Sequence, residues 1–329
     1  MEKRYVELDY VKGFAILLLL FSHCHPGEGI IKIWIISFHM PIFFIVCGIL
    51  KSRREKRGLV KKDIVSYMKK RGRQLIFPYY IWGSILILFY QLLHIIAGES
   101  LTIKKQLFAL LTGQGIDSLW FIPCYLFAEM LFVFFFIRLS RWKKRICTVT
   151  GFAIIFLCSY YGMRDVWLLR LGIKCIIAFL FMIIGYYVAN HIEKINAWHG
   201  WLLLVVGSVL AEFNGFVGIG ALELKNPFLF FSDAFLISIA VIILFTVYRK
   251  SGLQELRGLS FFGKDSIVIL LTNNLLIEVI RLLDYKIAGD WLLKMGMVGS
   301  LIMTLVLGIM ESCMIILSRK RGIRILFGK

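Results

Sequence analysis

The stretch Ser37-Phe38-His39-Met40-Pro41-Ile42-Phe43-Phe44 lies inside an apolar run over about 31–50. By length that run is a membrane span, since about 20 apolar residues cover the hydrocarbon core. Yet it holds a histidine and a proline. Pro41 cannot donate to the carbonyl of Ser37, so a helix should bend there and free a polar group. Broken backbone at membrane depth is tolerated only against protein or a wet cavity. His39 is then either a core histidine bonded to a neighbouring helix or a functional group.

The rest of the chain has the same character. It has 329 residues, 59% of them hydrophobic, with 18% charged and a net charge of +19; the mean hydropathy is +0.80. Ten candidate spans can be marked, at roughly 11–24, 31–50, 75–96, 118–138, 146–161, 173–190, 199–219, 227–248, 262–281 and 295–318. The expected fold is all-α: a polytopic membrane bundle of about ten helices, with 1–329 forming a single integral-membrane domain. No internal repeat or low-complexity tract interrupts it. The first run ends in "HCHPGEG", without a small-x-small cleavage site, so it does not read as a cleavable leader.

The basic residues cluster between the apolar runs. The connection 51–74 carries eleven of them, whereas 97–117 carries two. With both termini cytoplasmic, roughly 29 of the 39 Lys and Arg fall inside, as the positive-inside rule requires. The charge therefore speaks of topology and lipid contact rather than nucleic acid. Seven cysteines, an odd count without CxxC spacing, predict neither a disulfide framework nor a metal site.

Several polar residues are out of place in hydrocarbon. Asp9 and Lys12 are three apart and share a helix face, where they can pair. Lys12 and His23 are eleven apart, which returns them to within about 20° around a helix and separates them by about 16 Å along it. One reading is a snorkelling lysine and an interfacial histidine; the other is a functional face. Glu129, Glu212, Asp233, Asn273, Asn274, Glu278 and Glu311 lie within or at the ends of spans, as helix–helix glue or as the lining of a polar cavity. Lys69, Lys70, Arg71 and Arg73 precede Pro78, either as positive-inside charge or as a phosphate-binding patch. No G-x-S-x-G, Walker A or H-x-x-x-x-D motif is present, which argues against a soluble hydrolase, an ATPase and one class of glycerolipid acyltransferase.

"LDYVKGFAILLLLFSH", "SFHMPIFFIVCGIL", "KKRGRQLIFPYYIWG", "SLWFIPCYLFAEM" and "FFGKDSIVIL", in that order, resemble the acyltransferase-3 family of integral-membrane O-acyltransferases, in particular its bacterial sugar O-acetylase-like members. The resemblance covers nearly the whole chain. It implies transfer of an acyl group, often acetyl from cytosolic acetyl-CoA, to a sugar hydroxyl at the outer face. The family's Arg-x10-His motif falls on Lys12 and His23, its second-helix histidine on His39, and its fourth-helix Trp-Phe on Trp120 and Phe121. Lysine at 12 keeps the charge but loses the bidentate fork. Where many members carry a histidine, this chain reads "LLTNNLL".

On this basis His23 is the expected general base and His39 the group that orients the acyl carbonyl or relays protons. Asp9 pairs with Lys12; Lys12, Arg71 and Arg73 face the anionic end of coenzyme A. Trp120, Glu129 and Asn273 are candidates for the substrate site. The expected partners are membrane lipids and a glycan or lipid-linked sugar in the cell membrane, with acetyl-CoA as co-substrate and no metal. A transporter or flippase of a polar or lipid-linked substrate remains open, as does a sensor or uptake domain on the same scaffold.

Overall fold

The computed structural model describes residues 4–25, 29–58, 64–163 and 166–329. Residues 26–28 of "HCHPGEG" and 59–63 of the basic connection lie outside the described residues. Among the described residues there is no strand, only an isolated bridge between Gly218 and Glu223.

The helices are α1 (Val6–Cys24), α2 (Ile30–Phe38), α3 (Pro41–Glu55), α4 (Ile64–Arg71), α5 (Phe77–Ala97), α6 (Ile103–Leu111), α7 (Phe121–Phe134), α8 (Arg141–Tyr160), α9 (Trp167–Val188), α10 (Ala197–Asn214), α11 (Pro227–Lys250), α12 (Arg257–Lys264), α13 (Ser266–Leu283), α14 (Trp291–Lys294) and α15 (Gly296–Leu317). Among the described residues, seven stretches are long and apolar enough to cross a membrane: Ile30–Glu55, Val65–Ala97, Asp117–Arg138, Leu169–Val188, Pro227–Lys250, Ser266–Ile287 and Gly296–Leu317. The chain is a multi-pass membrane protein by this measure.

The three other expected spans are also helices, and the sequence explains why they fall short. Glu7, Asp9 and Lys12 occupy the first two turns of α1, and Arg141, Lys143, Lys144 and Arg145 open α8. The expected segment 199–219 stops at Asn214, where Gly215 turns away at φ 70°. The Asn214 amide then holds the returning chain, accepting from the Asn226 backbone at 3.1 Å and donating to the Leu224 carbonyl at 3.4 Å. At 18 residues, α10 spans about 27 Å, just under the ~30 Å core.

The expected break at Pro41 is present. The α2 helix ends at Phe38, and Pro41 opens α3 at a position where its missing N–H costs nothing. The α3 helix then runs on to Glu55, past the expected end at 50, because no glycine or proline intervenes before Gly58. Lys51 and Arg53, expected in the basic connection, are thus helical and buried.

The described residues group into two compact units. The first takes in Met1–Ser22, Gly27–Lys62 and Phe127–Ser266; the second His23–Pro26, Asp63–Leu126 and Ile267–Lys329. In the first, α3 crosses α9 at backbone distance: Gly48 faces the Met182 carbonyl and Gly185 the Ile45 carbonyl, with no room for a Cβ on either glycine. Small residues let membrane helices approach this closely, where packing rather than hydrophobic exclusion holds them. In the second, a π-helical turn, Gly72–Ile76, joins α4 to α5, and a 3₁₀ turn, Arg324–Phe327, packs against α5.

Candidate functional site

Each unit carries its own polar cluster. In the first, the Asp9 carboxylate lies between two cations: Arg4 Nε donates to Oδ2 at 2.7 Å, and Lys12 Nζ meets Oδ1 at 3.0 Å. The pairing of Asp9 with Lys12 follows from their spacing. Arg4 also donates to Ser260 Oγ at 2.9 Å, fastening this turn of α1 to α12. Gly13 against the Leu259 carbonyl and Gly263 against that of Asp9 bring the two helices into backbone contact.

His39 sits at the break between α2 and α3 and is 7% exposed. Its Nδ1 lies 2.9 Å from the Ile35 carbonyl oxygen. A carbonyl only accepts, so in the neutral ring Nδ1 carries the proton and Nε2 keeps the lone pair. That tautomer can receive a proton at Nε2; it cannot donate one from that nitrogen to a carbonyl.

Two inward-facing ion pairs and one with an exposed carboxylate complete this unit. Lys51 Nζ meets Glu129 Oε1 at 2.6 Å, joining α3 to α7. Arg53 meets Glu7 at 3.0 Å and Glu193 at 2.9 Å, with its guanidinium 4.2 Å from the centre of the Tyr5 ring. Glu129, a substrate-site candidate in the sequence, is thus committed to a lysine. Asp233 is fully buried with neither carboxylate oxygen hydrogen-bonded, the Asn214 amide being its polar neighbour.

The second unit holds His23, Arg71, Arg73, Trp120 and Asn273. His23 closes the last turn of α1, half-buried, and its carbonyl accepts from Arg281 Nη2 at 3.1 Å. Arg281 is itself paired with Glu278 at 2.8 Å. A cation at a helix C-terminus satisfies an orphan carbonyl and the local dipole. Tyr90 donates to Asp117 Oδ2 at 2.6 Å. Trp120 ends the 3₁₀ turn Asp117–Trp120, with its backbone against Gly115. Ser118 donates to Asn273 Oδ1 at 2.9 Å and accepts from Asn274 Nδ2 at 3.0 Å. Thr272 donates to Glu311 Oε2 at 2.7 Å, while Glu311 Oε1 and Asn273 Nδ2 are buried without partners. These contacts are the interhelical glue that the sequence admits for Asn273, Asn274 and Glu311.

A cleft of about 540 Å³ opens beside the α4–α5 junction, walled by Lys69, Lys70, Arg73 and Lys329 and floored by Phe77 and Ile325. Among the described residues, no acidic side chain lines it. Arg73 faces this space. Arg71 is turned elsewhere, donating to Gln74 Oε1 at 3.1 Å with its guanidinium 5.8 Å from the Tyr125 ring centre. The two arginines grouped by the sequence are thus separated by one helical step.

Sequence reasoning missed Arg53, Arg281 and Lys329. The only available signal was the uninterrupted run from Pro41 to Arg57, which permits the helix to carry Lys51 and Arg53 inward. No match was found among curated proteins or among solved structures. The model of the acyltransferase-3 acyltransferase domain matches residues 5–311, nearly the whole chain, and the protein therefore belongs to that family of membrane acyltransferases.

Proposed function

We propose that the protein moves an acyl group, acetyl in the first instance, from cytosolic acyl-CoA to a hydroxyl of a cell-surface or exported glycan at the cell membrane. The observation that carries this reading is the family match over residues 5–311; the resemblance implies that His23 and His39 fall on the family's histidine positions. With both termini cytoplasmic, as the distribution of basic residues suggests, the basic connection and the donor lie on one side and the glycan on the other.

His23 takes the proton of the acceptor hydroxyl as its oxygen bonds to the thioester carbonyl carbon. The carbon–sulfur bond then breaks, and the departing thiolate receives a proton. His39, with Nε2 as acceptor, orients the acyl group or relays protons. The Asp9–Lys12 pair and the cations at 71 and 73 serve the anionic donor, and Trp120 and Asn273 belong to the acceptor side. Glu129 contributes by fixing Lys51 rather than by touching the acceptor.

The test is transfer of labelled acetyl from acetyl-CoA to a sugar acceptor by the purified protein in nanodiscs. Transfer is expected. Failure even to bind acetyl-CoA would hand the scaffold to the transporter reading. Orientation is tested on intact cells with an impermeant thiol reagent in a cysteine-free background: position 113 should label and position 56 should not. The reverse pattern would move the donor to the wrong face.

A further inference from the structure

We propose that Arg281 of α13 is a positioning residue for His23: its grip on the His23 carbonyl fixes the last turn of α1 and, with it, the place from which the imidazole works. The proposal rests on the reading of His23 as the base, and it adds the residue that aims it.

Three consecutive residues at the end of α1 are tied to α13 and α15. Arg281 Nη2 donates to the His23 carbonyl at 3.1 Å. The Cys24 thiol is hydrogen-bonded to Thr304. His25 Nδ1 lies 3.1 Å from Ser300 Oγ. The Ser300 hydroxyl donates its one proton to the Gly296 carbonyl at 2.9 Å, so its oxygen accepts and His25 Nδ1 carries the proton. Thr304 lies one turn beyond Ser300 on α15 and donates to the Ser300 carbonyl at 2.7 Å. The compact unit that contains α13 and α15 takes in the chain from His23 and leaves Ser22 to the other unit. The tip of α1 is built into the second unit.

Of the three ties, that of Arg281 grips His23 itself, and it does so through the backbone. The last four carbonyls of a helix have no partner within it, and helix ends fray. Fraying here would swing the bond that carries the imidazole. A general base has to lie within about 2.6–3.2 Å of the proton it takes. A displacement of about 1 Å can cost about 10²-fold in rate. Arg281 is aimed in its turn. Glu278, three residues earlier on α13, holds Nη1 at 2.8 Å and leaves Nη2 to the carbonyl. A planar guanidinium makes both contacts at once. The Arg281 and Glu278 side chains are 43% and 28% exposed, and ion pairs so open to water add little to stability. The contact acts on the placement of the α1 tip more than on the fold.

The experiment compares Arg281→Met, Arg281→Lys and Arg281→Gly with the unaltered full chain in nanodiscs. It reads kcat, the KM for acetyl-CoA and thermal unfolding. Arg281→Met keeps the length and removes the donors. It should lower kcat about 10–10²-fold, with the donor KM within about threefold and thermal unfolding nearly unchanged. Arg281→Lys should recover part of the loss, since an ammonium donates but lacks the fork. Guanidinium ion at millimolar concentration should restore turnover in Arg281→Gly and do nothing for His23→Gln. Unaltered kcat in Arg281→Met overturns the proposal. So does a raised donor KM alone, or a loss that follows thermal unfolding and that guanidinium leaves in place. If Arg281→Met is silent while His23→Gln is inactive, the positioning role falls and the reading of His23 as base stands. If His23→Gln keeps wild-type turnover, both fall.

Discussion

In the first unit Glu7, Asp9, Glu129 and Glu193 each meet a cation at 3.0 Å or less, whereas in the second Lys69, Lys70, Arg73 and Lys329 line a cleft that has no acidic side chain among the described residues. Most of these cations come from one basic run, 51–73. The helical frame sorts them. The α3 helix continues past the apolar run and turns Lys51 and Arg53 inward onto carboxylates, while α4 and the turn after it present their charges outward. The same residue types meet carboxylates in a core in one place and line an open cleft in another.

The comparison is tested most severely outside both clusters, at His23. If acyl transfer uses it as base, His23→Gln should lose about 10²–10⁴-fold in turnover and keep donor affinity and thermal stability, since an amide cannot take the proton. Wild-type turnover in this variant would remove His23 from the chemistry and leave His39 as the histidine to test. The Arg281 contact makes a control useful: it reaches the His23 backbone carbonyl, which the substitution leaves in place.

The next effect belongs to the paired unit. Lys51→Met removes the ammonium that faces the Glu129 carboxylate, which is 2% exposed. Breaking a buried pair by removing one partner costs about 3–5 kcal/mol, whereas replacing both with apolar groups is often neutral. Thermal unfolding in detergent should therefore show a large loss in Lys51→Met and its recovery in Lys51→Met, Glu129→Leu. Equal losses in the single and double variants would mean that the pair acts through catalysis or through another partner.

These two tests also mark what the sequence made legible. The long apolar runs announced the spans because burial in lipid needs only length and hydropathy. Pro41 announced the break, and the three-residue spacing announced the Asp9–Lys12 pair, because both are local. The partners of Arg53 lie 46 and 140 residues away, and no local rule reaches them. The same holds for Lys329, which reaches the cleft only because Trp82 and Gln74 receive the segment before it. The loss of three spans from the apolar set has a simpler cause: charged or polar residues at the helix ends shorten the usable stretch. His39 was legible as a site but not as a tautomer, since the Ile35 carbonyl that fixes its proton depends on where the helix breaks.

A smaller effect should separate the two arginines of the cleft region. Arg73 lines the space and Arg71 faces Gln74 and Tyr125. Neutralising Arg73 should weaken donor binding by about 1.5–3 kcal/mol if it makes one charged hydrogen bond. Neutralising Arg71 should act through the local packing of α4 and cost donor binding less. Calorimetry with acetyl-CoA on Arg73→Gln and Arg71→Gln decides it. The opposite order would place the anion on the Tyr125 side.

The smallest effect expected is at Lys12, where the resemblance implies an arginine in relatives. Lys12 binds one carboxylate oxygen of Asp9, and Arg4 already holds the other. An arginine at this position keeps the charge, but its fork cannot take both oxygens without displacing Arg4. Lys12→Arg should therefore leave kcat and the apparent KM for acetyl-CoA within about threefold of wild type, roughly 0.7 kcal/mol. Lys12→Ala removes the charge and leaves Asp9 to Arg4 alone, so it should raise the donor KM clearly while sparing the step at His23, about 16 Å further along α1. Steady-state kinetics of the two variants, beside Arg4→Gln, separates charge from geometry. If Lys12→Arg fails as badly as Lys12→Ala, the position reads shape, and the pairing with Asp9 is part of the reaction rather than of the paired core.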